Sequence, residues 1–137
     1  VKKLAIIATR GSHNTMVSML TLAMAAAVCE IQVRIFLRDE AVFKLSKTNV
    51  HALNLSEALR GAETKIAGNL AAAKLNDLQQ VIRDVKAQGD VKLFACTSSM
   101  AICGVTQDEL IPEIDEPRGL TSFLLEEMEE ADTILTF

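Results

Sequence analysis

Three residue types in the sequence could do chemistry that most surface residues cannot, and they cluster at "FACTSSMAICG", residues 94–104. A cysteine, Cys96, ends an apolar run and is followed by Thr97, Ser98 and Ser99. A thiolate is a nucleophile and a thiol is not, so the setting of the sulfur decides its use. Thr97 or Ser98 is positioned to cap a helix starting here. The unpaired N–H groups of that first turn then point at the sulfur, and the partial positive charge of the helix end adds to them. Both effects draw the thiol below its free value of ~8.5. On residues alone, Cys96 is a reactive thiol or a buried core cysteine, since unpaired cysteine is among the most buried residue types.

The other candidates are weaker. Cys103 lies seven residues on, ~10 Å of helical rise, whereas a disulfide needs Cα atoms within about 7 Å, so the two should not pair. Cys103 and Cys29 read as core residues. His13 and His51 are the two histidines. His13 falls at the same sheet edge as Cys96, which allows a Cys–His pair, although no spacing supports one. A cap or loop role for His13 is the plainer reading. No convergent set of His, Cys and carboxylate residues calls for a metal, and no cofactor is expected.

These groups need elements to hold them. "KLAIIAT" (3–9) reads as a strand buried on both faces, with a helix after the loop "RGSHN" that Asn14, or else His13, would cap. "IQVRIFL" (31–37) is a second strand, completing a βαβ unit. Residues 39–48 read as a short helix, and 49–69 as irregular or a pair of short helices. From 70 to 88 Leu75, Leu78, Val81, Ile82 and Val85 share one helical face, with Gly89 as C-terminal cap. "VKLFA" (91–95) is a third strand, "IPEIDEPRG" a loop, and "LTSFLLEEMEEA" an amphipathic helix with Leu120, Phe123, Leu124 and Met128 inward. "TILTF" (133–137) is the last strand. The alternation implies a single α/β domain over 1–137, a three-layer, flavodoxin/Rossmann-like sandwich with a mostly parallel sheet of about five strands. Function in such sheets gathers at the carboxyl ends of strands. Arg10, Gly11, Ser12 and His13 follow the first strand, and Arg118 and Gly119 lie at another loop, so these six are candidates for substrate binding.

Bulk properties bound the function. Half of the 137 residues are apolar, enough for a core without staples. Three cysteines without a CxxC pair suit a reducing compartment, and a cytoplasmic location is expected. The net charge of −4 speaks against nucleic acid as a partner. Residues 107–137 carry ten acidic and one basic side chain, a solvated acidic face or half of a contact between copies. The most apolar window, "MVSMLTLAMAAAV", is shorter than the ~20 residues of a membrane span.

"KLAIIATRGSHNT", "VKLFACTSSMAICGV" and "GLTSFLLEEMEEADTILTF" together resemble the DsrE/DsrF-like family of sulfur-relay proteins, in particular its branch often labelled "peroxiredoxin family protein". The resemblance implies a compact parallel α/β fold assembled as a homo-oligomer (dimer, trimer or hexamer). It implies a sulfur carrier or sulfurtransferase that holds sulfane sulfur on Cys96 as a persulfide or thiosulfonate. It further implies sulfur-donor and sulfur-acceptor partners, proteins or small sulfur species. The chemistry suits the first helical turn, Thr97, Ser98 and Ser99, which would stabilise the anionic sulfur. "RDEAVFKLSK" departs from the family pattern by placing charge at Arg38, Asp39 and Glu40. The competing expectation is a non-catalytic nucleotide- or flavin-binding module of flavodoxin-like fold, with "TRGSHNT" as its phosphate loop. The chain has no Trp or Tyr to stack on a flavin, and no GxGxxG or Walker pattern.

Overall fold

The computed structural model describes residues 1–137. Five parallel strands form one sheet: β1 (Lys3–Ala8), β2 (Gln32–Leu37), β3 (Val91–Cys96), β4 (Glu116–Arg118) and β5 (Thr133–Thr136), in the spatial order β4-β3-β2-β1-β5. Each of the three central strands buries both faces, which is why their sequences run apolar rather than alternating.

The two faces are covered unequally. Leu4, Ile6 and Ala8 of β1, Val33, Ile35 and Leu37 of β2, and Val91, Leu93 and Ala95 of β3 join the main core. That core is closed by α1 (His13–Val28) and α4 (Leu78–Gln88), with α2 (Glu40–Lys44) and α5 (Thr97–Cys103) against each other nearby. The opposite side chains, Ala5, Phe36, Phe94 and Cys96, form a small second cluster with Phe123. Phe123 comes from α6 (Leu120–Phe123), which continues as one π-type turn over Leu124–Met128. Strands β1 to β4 are laid down in one direction across the sheet. The chain must then return to the far side of β1 to add β5, and a right-handed return runs over the second face.

Several elements differ from the sequence expectation, each for a local reason. The cap of α1 is Ser12, whose Oγ accepts from the Thr15 N–H at 3.2 Å. Asn14 is instead occupied with Ser56, through Nδ2 to Oγ at 3.1 Å and Oδ1 from N–H at 2.8 Å. The helical stretch at 70–88 is broken. Helix α3 (Glu63–Ala72) stops, Lys74 takes φ 59°, and Asp77 caps α4 by accepting from the Gln80 N–H. Gly89 is extended (φ 178°) rather than left-handed; its role is room, since a Cβ there would lie 3.2 Å from Ala27 O. The loop "IPEIDEPRG" contains β4. Leu120 and Leu124 point outward, 43% and 49% exposed, so α6 turns in Phe123 with Met128 partly buried behind it. Cys29, expected in the core, is exposed because it caps the end of α1, where the chain turns through Glu30 at φ 61°. No helix is long and apolar enough to cross a membrane.

Candidate functional site around Cys96

Cys96 is the last residue of β3 and itself the N-cap residue of α5; neither Thr97 nor Ser98 takes that place. Its side chain is fully buried against Ala5, Phe36, Phe94 and Phe123. The Phe123 ring stacks on Phe36 at 4.5 Å between centroids and meets Phe94 edge-on at 6.0 Å. This one side chain therefore closes the face over the sulfur. Its full burial and two ring contacts are worth about 2–4 kcal/mol together.

The sulfur's polar surroundings come from the first turn of α5. Ser98 Oγ lies 3.2 Å from Cys96 Sγ. Burial pushes the thiol up, and the Ser98 hydroxyl, the Ser99 N–H and hydroxyl and the Ser98 N–H more than offset it, leaving Cys96 below the ordinary thiol value. Thr97 is exposed and has no part in this shift.

Arg118 is opposite Cys96 in the β3–β4 ladder. Its guanidinium carbon sits 3.9 Å above the Phe94 ring, and it faces Glu126 at 3.4 Å and Glu127 at 3.5 Å. Glu127 also meets Arg34 Nε at 3.2 Å and Lys3 Nζ at 3.4 Å. Cations from β1, β2 and β4 thus converge on one carboxylate of the covering segment. On the other flank, β2 pairs with β3 up to Leu37 opposite Ala95, so Arg38 follows on beside Cys96. Arg38 Nε is buried with no hydrogen-bond partner. Ser99, also buried, donates its hydroxyl to Asp39 Oδ1 at 3.2 Å. Cys103, partly buried at the end of α5, donates to Asp39 O at 3.5 Å, and all three cysteines are free thiols.

The remaining sequence candidates do not meet at the sulfur. Arg10, Gly11, Ser12 and His13 follow β1, two strands from β3 and so about 10 Å away across the sheet. His13 is buried in the other layer, where its Nε2–H donates to Leu75 O at 2.9 Å. Burial lowers its pKa and keeps the ring neutral. It does not form a Cys–His pair with Cys96. Gly119 starts α6.

The supposed phosphate loop is already filled from within. Gly11 N–H donates to Glu40 Oε1 (3.3 Å), His13 N–H to Asn54 O (2.7 Å) and Thr15 N–H to Ser12 Oγ (3.2 Å). A carboxylate and a carbonyl occupy places an incoming phosphate would need, which counts against the nucleotide- or flavin-binding alternative. The same region carries a group the sequence did not single out. Lys44 is 2% exposed and donates to Asn49 O (3.2 Å), Ala52 O and Asn54 Oδ1 (2.6 Å), pinning residues 49–54 over the end of β1. Arg38 and Asp39, at the carboxyl end of β2, share the sheet edge with Cys96, as the strand order in the sequence implies; the bond from Ser99 to Asp39 had no signal there.

No curated protein matches the chain. Among solved structures, one similar to it is a protein of unknown function from Methanobacterium thermoautotrophicum, with a TM-score of 0.60 at 12% identity, over 98% of this chain and 99% of that one. That likeness concerns the fold alone. A model of the DsrE/DsrF-like family, which is associated with sulfur relay, matches residues 2–137, and the chain belongs to that family.

Proposed function

We propose that the protein is a sulfur carrier that holds sulfane sulfur as a persulfide on Cys96 and passes it to a partner protein. The observation that carries this is the Ser98 hydroxyl 3.2 Å from the Cys96 sulfur at the start of α5, where it and the first-turn N–H groups of Ser98 and Ser99 hold the thiol pKa down despite full burial. A thiolate so stabilised attacks the outer sulfur of a donor persulfide. The new S–S bond forms on Cys96, the donor's S–S bond breaks, and the donor leaves as a thiolate. The terminal sulfur of the product is anionic and inherits the same donors. Release to an acceptor is the same exchange in reverse. Arg118, opposite Cys96 on β4, would favour an anionic donor. Assembly as a homo-oligomer, and exchange with donor and acceptor partners in the cytoplasm, belong to this proposal.

The second reading is a core cysteine, favoured by the complete burial of Cys96 among phenylalanines. Mass spectrometry after incubation with a polysulfide or glutathione persulfide separates the two. An adduct of about 32 Da on Cys96, absent from Cys96→Ser, is expected. An unmodified Cys96, or the same adduct pattern in Cys96→Ser, refutes the carrier.

A further inference from the structure

Residues 51–77 form the long excursion between α2 and α4, and none of them is buried, although Val50 before it is 1% and Leu78 after it 0% exposed. Only Leu70 and Leu75 of this stretch pack, half-buried, against the main core. A segment with so little burial is held by its polar ties, and these lie at its two ends. Residues 57–74 hydrogen-bond among themselves and to Ser56 and Leu75, and to nothing else. At the front, Asn54 O accepts the His13 N–H at 2.7 Å, Asn54 Oδ1 accepts from Lys44 Nζ at 2.6 Å, and Ser56 N–H donates to Asn14 Oδ1 at 2.8 Å. At the rear, Leu75 O accepts from the His13 ring at 2.9 Å. His13 thus holds both ends, one with its backbone and the other with its side chain. Beside the front tie lies a cavity of about 600 Å³ lined mainly by polar residues, among them Arg10, Ser12, Asn14, Asn54 and Ser56, where a packed segment would seat apolar side chains.

We propose that residues 51–77 form a lobe that opens as one unit from the carboxyl end of β1, with His13 as its clasp, and that acid releases it. Nε2 of the ring is committed to Leu75 O, and Nδ1 is buried without a partner, so a second ring proton would have no acceptor. Burial holds the pKa of the ring down, the bond to Leu75 O acts the other way, and the Lys44 charge adds to burial. An exposed histidine titrates at ~6.5, so below that value the open form binds more protons and acid favours opening. The charged groups on the surrounding elements are Lys44 and Glu40 of α2, Arg10 after β1, His51, Lys74 and Asp77 of the lobe, and Asp84 of α4. No carboxylate among them is bonded to the ring; Glu40 accepts from the Gly11 N–H, and Asp77 faces His51 at 3.9 Å. Protonating His51 tightens that pair and opposes release, but both its side chains are more than half exposed and the pair is weak. Opening frees the His13 N–H and the Gly11 carbonyl, both held by Asn54.

The test is amide exchange of the full chain by NMR, corrected for the intrinsic effect of pH and read at residue 13 and Ser56, the two front-end amides. From about pH 7.5 to about pH 5.5 both should exchange roughly tenfold faster in wild type. His13→Gln keeps a side-chain N–H for Leu75 O and has no charge to gain, so its exchange should not change with pH. His13→Ala removes the rear tie, yet should speed exchange of Ser56 at the front by roughly tenfold at both pH values. No acceleration in wild type, or the same acceleration in His13→Gln, overturns the release by acid. A Ser56 amide that exchanges in His13→Ala as in wild type overturns the single lobe. Exchange at residue 13 and Ser56 no faster than at Ile6 and Leu93 of the central strands overturns it too, since opening would then be global unfolding.

Discussion

Changing Glu127 to glutamine removes one charge and keeps the side chain's shape. The carboxylate, 14% exposed, is the common partner of Lys3, Arg34 and Arg118. Removing one member of a buried ion pair costs roughly 3–5 kcal/mol. Two features reduce that figure here. The contacts, 3.2–3.5 Å, are longer than the charge-assisted hydrogen bonds of a tight pair. Arg34 also keeps Asp90 at 2.9 Å, and Lys3 keeps Glu130 at 3.7 Å. About 2 kcal/mol is expected, a factor of roughly thirty. The urea midpoint should fall by about 1 M. The same contacts hold the segment that closes over Cys96, so iodoacetamide should label Cys96 about thirty times faster. Cys29, exposed at the end of α1, serves as the standard in the same tube and should not change. Wild-type Cys96 labelling as fast as Cys29, or a destabilised Glu127→Gln with unchanged Cys96 labelling, would refute the claim that this segment controls access.

Two further substitutions probe the β1 loop. In Gly11→Ala the new Cβ would lie 2.7 Å from Glu40 O and 2.9 Å from Glu40 Cβ, against backbone that cannot yield. A loss of about 2 kcal/mol by urea titration is expected, and Cys96 labelling should stay at the wild-type rate, because the covering segment is untouched. Lys44→Met strips the donor from three acceptors and should cost about 3 kcal/mol. Burial lowers the Lys44 pKa to about 8, against about 10.4 when unfolded. Between those values the unfolded chain binds more protons, so this group's contribution to stability rises with pH across the window. Urea midpoints on either side of it should show that rise in wild type and lack it in Lys44→Met.

The parts legible in the sequence were those whose cause is local. The three central strands announce themselves because burial on both faces demands unbroken apolar runs, and the order of strand and helix then dictates a parallel sheet. Cys96 was legible for the same reason, since a cysteine at the end of "VKLFA" followed by hydroxyl residues falls at a strand–helix junction. Strand β4 was hidden because three residues including Pro117 have no strand signal of their own; the free edge of β3 makes them one. Asn14 does not cap α1 as its type suggests because Ser56, forty-two residues away, holds its side chain. Arg38 and Asp39 were legible at the same carboxyl edge as Cys96, but the bond from Ser99 to Asp39 was not, since sixty residues separate the two and the β2–β3 pairing brings them together. Leu120 and Leu124, four residues apart, share one face of the helix, and that face is the outer one, so Phe123 and neither leucine turns in.

The strand order has a mechanical consequence. The covering segment leaves from β4 at one edge of the sheet and enters β5 at the other, so it is tethered at both ends to opposite rims. It cannot swing clear as a hinged flap does. It can only bow at its middle, where Phe123 and Glu127 are seated, and both ends limit how far. A strap of this kind opens a slot along the sheet and not a mouth above it. The topology that completes the sheet thereby also sets the gauge of what can reach Cys96.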